Sequence, residues 1–113
     1  MAYSVHIPWY ATAFRPDKLE AALGDIAPIA LRYGASHYAV YRAMEDRYKF
    51  VQIADFQTKA QWVAYWDGPE MSRFRALHSG WYQVPVLYQP QDLTAEGAMP
   101  NLMSTGDVED SAA

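Results

Sequence analysis

Residues 48–56, YKFVQIADF, alternate like a strand and yet are apolar on both sides. Successive side chains of a strand point to opposite faces, so Phe50, Ala54 and Phe56 fall on one face and Val51 and Ile53 on the other. A sheet face open to water would carry polar residues at every second position. Any fold built on this segment must therefore cover its sheet from both sides.

The remaining elements decide how. Tyr3, Val5, Ile7 and Trp9 alternate with Ser4, His6, Pro8 and Tyr10, which predicts a first strand with an irregularity or an end at Pro8. In RPDKLEAALGDIAPIALRYG, Leu19, Ala22, Leu23, Ile26, Ala30 and Tyr33 recur at helical spacing; Pro16 suits the first turn, Pro28 should kink or split the helix, and Gly34 should stop it. SHYAVYR, residues 36–42, predicts a second strand that the turn AMED joins to the third as a hairpin. Thr58 and Gln61 form a capping-box pattern before Trp62, Tyr65 and Trp66. Asp67-Gly68-Pro69 interrupts that helix, and Pro69 opens a further piece through Met71, Phe74 and Leu77. Gly80 ends it, and residues 81–88 read as a fourth strand with apolar residues on both faces; residues 92–95 extend it or form an arm.

The order β-α-β-β-α-β predicts an α+β, ferredoxin-like fold: a four-stranded antiparallel sheet with helices on one face. Residues 1–96 form the single domain, and 97–113 form a flexible acidic tail. Helices on one side leave the other apolar sheet face bare, which predicts a homodimer with two sheets face to face; the alternative is a monomer whose tail covers that face, though the tail's few apolar residues, Met99, Leu102 and Met103, cover little.

Composition narrows the function. Of the net charge of −4, Asp107, Glu109 and Asp110 of the tail account for most, so the domain is nearly neutral and lacks the basic patch of a nucleic-acid binder. No apolar run is long enough to span a membrane, and the N-terminal residues do not read as a signal peptide. There is no cysteine, which excludes disulfides and thiolate metal sites and fits a cytoplasmic location.

The segment ADFQTKAQWVAYWDGPEMSRF, in the setting of a βαββαβ unit of about a hundred residues, resembles the dimeric α+β barrel proteins, and among them the antibiotic biosynthesis monooxygenase-type group. The resemblance spans about residues 2–96. It implies a pocket for an aromatic or polyketide-like ligand between sheet and helices. It also implies, in some members, oxidation by O₂ without metal or flavin, so no cofactor is expected. Other members are non-catalytic ligand-binding or assembly proteins, which is the alternative reading. Haem-degrading members carry an asparagine on the first strand, a tryptophan on the second helix and a ligating histidine after the Gly-Pro. The corresponding positions here are His6, Trp66 and, in place of the histidine, Phe74, which disfavours haem; His78 lies one turn further on.

The candidate catalytic residues are His6, as base or hydrogen-bond partner of a phenolic ligand, Trp66, as aromatic platform, and His78, as polar anchor. Candidate ligand-binding residues are Tyr10, His37, Tyr65, Phe74 and Arg75. Each has a purely structural alternative: a satisfied core histidine for His6, a cation at a helix C-terminus for His78, and core packing for the aromatic residues. The three histidines lie on three elements without ligand spacing, so no metal site is expected. A cavity of roughly 300 Å³ or more, with polar tips converging on it, would separate a site from a filled interior.

Overall fold

The computed structural model describes residues 3–100. Its strands are β1 (Tyr3–Tyr10), β2 (His37–Arg42), β3 (Lys49–Phe56) and β4 (Gln89–Asp92); its α-helices are α1 (Pro16–Ile26), α2 (Lys59–Trp66) and α3 (Pro69–Leu77). All pairings are antiparallel, in the order β2-β3-β1-β4. This is the expected α+β, ferredoxin-like arrangement, and the helices cover one face of the sheet.

Helix boundaries follow the local chemistry. Pro16 opens α1 and supplies the φ of a first turn without needing an N–H partner. Pro28 ends the α-helical hydrogen bonding, and the chain continues as a 3-10 helix over Ala27–Tyr33. Gly34 closes it with φ 99°, where a side chain would be strained. Thr58 caps α2: the Gln61 N–H donates to Thr58 Oγ1 at 3.2 Å, and the Thr58 N–H donates to Gln61 Oε1 at 3.3 Å. Gly68 and Pro69 break α2 from α3.

One face of the sheet is core. Val5, Ile7 and Trp9 of β1 and Phe50, Ala54 and Phe56 of β3 pack under Leu19, Leu23, Trp62, Tyr65, Met71 and Phe74. Register puts Ser4, His6, Pro8 and Tyr10, with Val51, Ile53 and Asp55 of β3 and His37, Ala39 and Tyr41 of β2, on the opposite face.

The fourth strand differs from expectation. Residues 81–83 touch the end of β1 through one bridge, Ala11 with Tyr82, and the Gln83 N–H donates to Tyr10 O at 2.8 Å. The chain then leaves the sheet through Val84 and Pro85 and rejoins β1 only at Gln89. The strand is thus QPQD, exposed throughout, and not the apolar run before it. β4 is an edge strand and pairs on one side only, so Pro90 forfeits no ladder bond that a central strand would need. Residues 93–100 form no strand or helix; 101–113, most of the expected tail, lie outside the described residues. Among the described residues, no helix is long and apolar enough to cross a membrane.

Candidate functional site

The space between sheet and helices is filled. Trp9, Tyr65 and Gln52 are fully buried there and joined by hydrogen bonds. Trp9 Nε1 donates to Gln52 Oε1 at 3.0 Å, Gln52 Nε2 donates to the Tyr65 hydroxyl at 2.9 Å, and that hydroxyl donates to Ile26 O at 2.8 Å. Every link is satisfied, so the chain acts as a polar tie across the core rather than an opening in it. Burial pushes the Tyr65 phenol pKa well above its usual value.

The largest aromatic cluster lies beside this tie. Trp66 stacks on Trp62 at 5.1 Å between ring centroids and faces Tyr88 at 5.2 Å. The Arg75 guanidinium sits 4.3 Å over the Trp66 ring while its Nη1 donates to Trp66 O at 2.9 Å. Arg75 therefore clamps the α2–α3 break and is already occupied by protein. Phe74 is buried, edge-on to Trp9 at 5.6 Å.

An open groove of about 490 Å³ runs between α1 and α3. The α1 side presents Lys18, Ala21, Ala22 and Asp25; the opposite wall is Phe74, His78 and Trp81. His78 lies just past the end of α3, with its ring 4.2 Å from Trp81 and 5.0 Å from Phe74. Its Nδ1 is buried without a hydrogen-bond partner. A buried polar atom left unpaired costs about 1–3 kcal/mol.

The three histidines do not meet. His6 is half-buried on the open sheet face, in register with Ile53 and Gln89, so the sheet itself separates it from Trp66 and His78. His37 shares that face; its Nδ1 lies 3.1 Å from Asp55 Oδ2, and Asp55 Oδ1 accepts from the Ser4 hydroxyl at 2.5 Å. Tyr10, also on the open face, donates to Asp46 Oδ2 at 2.7 Å, and this bond raises its pKa. Trp66 and His78 share the helical face, but only His78 and Phe74 of the expected residues line the groove. Lys18, Asp25 and Trp81 line it as well and were not expected. The pattern Lys18-Ala21-Ala22-Asp25, small residues between charges on one helix face, was the available signal. Among the described residues, no three His, Asp or Glu side chains gather as a metal site would require.

No family model matches the sequence, and no curated protein is significantly similar to it. Solved structures are. An antibiotic biosynthesis monooxygenase-like protein from Bordetella bronchiseptica superposes with a TM-score of 0.72 at 16% identity, over 83% of this chain and 98% of that one. Rv0793 from Mycobacterium tuberculosis gives 0.74 at 14% identity, over 87% and 100%. A mutant of SnoaB, a cofactor-independent oxygenase from Streptomyces nogalater, gives 0.69 at 13% identity, over 88% and 98%. Identities this low speak for architecture alone: the chain has the ferredoxin-like α+β fold of the antibiotic biosynthesis monooxygenase-like proteins.

Proposed function

We propose that this protein binds a small aromatic molecule in the α1–α3 groove and acts on it as a cofactor-independent monooxygenase. The observation that carries the reading is the groove itself: about 490 Å³, walled by Phe74, His78 and Trp81. That volume lies within the range of small-molecule sites. The likeness in fold to an oxygenase that works without cofactor supports it. In such chemistry the protein holds a phenolic substrate, takes a proton from it and shields the electron-rich anion while it reacts with O₂. His78 is the histidine placed to accept that proton or hydrogen-bond the anion, and Trp81 is the platform. His6 would act from the other face only on a ligand held there.

The working unit is a homodimer joined through the open sheet face, where Pro8, Ala39, Tyr41, Val51 and Ile53 are apolar. A cysteine-free chain suits the cytoplasm. Haem does not fit the residues present: Phe74 stands in place of the ligating histidine, and its ring packs edge-on against the buried Trp9.

The filled interior favours a second reading, a non-catalytic binding protein of the same fold. An oxygen electrode separates the two. With 1,8-dihydroxy-9-anthrone as substrate, the first reading expects protein-dependent O₂ uptake that falls about 100-fold in His78→Ala, the loss typical of a proton-transfer group. Binding without O₂ uptake would leave the second reading, and uptake unchanged in His78→Ala would remove His78 from the chemistry.

A further inference from the structure

We propose that the α1–α3 groove, if it is the binding site argued above, selects an elongated hydroxylated aromatic acid, with its acid group at Lys18 and its hydroxyl at Asp25. The two charges lie seven residues apart on one face of α1, which separates them along the helix axis by about 10 Å. Between them on that face stand Ala21 and Ala22, too short to reach the opposite wall, so the floor of the groove is apolar in the middle and charged at both ends.

The charges are also unspent. Among the described residues, neither Lys18 nor Asp25 takes part in an ion pair or a side-chain hydrogen bond. Their neighbours on α1 are committed: Asp17 and Glu20 both bind Arg42 Nη1, at 3.0 and 2.6 Å. Lys18 is exposed, and its Nζ lies 6.0 Å from the centre of the Trp81 ring, within reach of the aromatic wall.

The lining sets the shape of the ligand. Trp81, His78 and Phe74 offer ring surface to a flat apolar body. A carboxylate or phenolate at one end would meet the ammonium of Lys18 in a charge-assisted hydrogen bond. The far end should donate to the Asp25 carboxylate, which a hydroxyl does and a second carboxylate cannot. A fully apolar hydrocarbon would gain only the wall and leave both charges to water.

Isothermal titration of the full chain with three naphthalenes tests this: 6-hydroxy-2-naphthoate, 2-naphthol and 2,6-naphthalenedicarboxylate. The expected order of affinity is the hydroxy acid first and the dicarboxylate last. Lys18→Met should weaken the hydroxy acid about tenfold, the loss of one charge-assisted bond, and leave 2-naphthol unchanged. Asp25→Lys should reverse the order of the hydroxy acid and the dicarboxylate. Equal affinities, or a hydroxy acid indifferent to Lys18→Met, would overturn the proposal. If 2-naphthol then still binds and is lost in Trp81→Ala, the groove stands as the site and only its charge selection falls. If none of the three binds, the groove is not the site and both readings fall.

Discussion

Gln52 is the side chain that most alters what the interior can be. A glutamine fully buried between Phe50 and Ala54 would be a liability without partners; here it accepts from Trp9 and donates to Tyr65. Tyr65→Phe would leave Gln52 Nε2 without its acceptor and Ile26 O without its donor, and should lower stability at neutral pH by about 1–3 kcal/mol in urea unfolding. The same residue sets a pH dependence. Burial raises the Tyr65 pKa in the folded state above the 10.0 of a free phenol, so above pH 10.0 the unfolded chain gives up a proton that the folded chain keeps. Its contribution is present below that pH and is lost as pH rises, with a slope of about 1.4 kcal/mol per pH unit for one proton. Tyr65→Phe should flatten the alkaline loss of stability by that amount, leaving the part due to Tyr82, raised by burial, and to Tyr10 and Tyr33, raised by their hydrogen bonds to Asp46 and Glu70. An alkaline limb as steep in the variant as in the parent would contradict the assignment. At this scale the sequence was half legible. Alternation in β1 already puts His6 and Trp9 on opposite faces, and that is enough to keep His6 out of any pocket among the helices. Nothing local says which imidazole will stand beside a groove, because the groove is made by α1, a distant helix.

Elements were easier to read where punctuation is chemical. The capping box at Thr58, the stop at Gly34 and the α2–α3 break at Asp67-Gly68-Pro69 all follow from residues that act on their own backbone. The break has a further reason that only packing reveals. A Cβ on Gly68 would stand 2.5 Å from Ala64 O and 2.9 Å from the Tyr33 hydroxyl, which donates to Glu70 Oε1 at 2.5 Å. A backbone carbonyl cannot step aside as a side chain can, so Gly68→Ala should destabilise by about 1–3 kcal/mol although its φ of −72° suits alanine. A shift in the denaturation midpoint indistinguishable from zero would show that the 3-10 helix and α2 can move apart. The fourth strand shows the opposite case. Periodicity favoured residues 81–88, whose apolar residues go partly to the core and partly outward: Tyr82 is buried, while Val84 and Leu87 are 72% and 64% exposed. The true strand is polar and short, and only the free edge of β1 selects it.

For the whole molecule, the open sheet face is the feature that a single chain leaves unresolved. It is less uniformly apolar than the sequence suggested, because β4 brings Gln89 and Gln91 to it and Ser4, Asp55 and His37 make a hydrogen-bonded polar corner. Apart from His6, opposite Ile53, its middle is apolar: Pro8, Val51 and Ile53 lie in adjacent register across β1 and β3, with Ala39 and Tyr41 beyond them on β2. Val84 and Leu87 join Pro8 and Tyr10 around a second groove of about 310 Å³ at its margin. An apolar centre with a polar margin is the anatomy of an interface. A two-fold axis through that centre would set each Ile53 near its counterpart, so a charge placed there is doubled across the interface. If the proposed dimer forms through this face, Ile53→Lys should convert it to monomer in native mass spectrometry, while far-ultraviolet circular dichroism stays that of the parent, since Ile53 is only half-buried in the single chain. An Ile53→Lys protein that stays dimeric would move the interface to another surface, and a monomeric parent would leave the sheet face without a partner of its own kind.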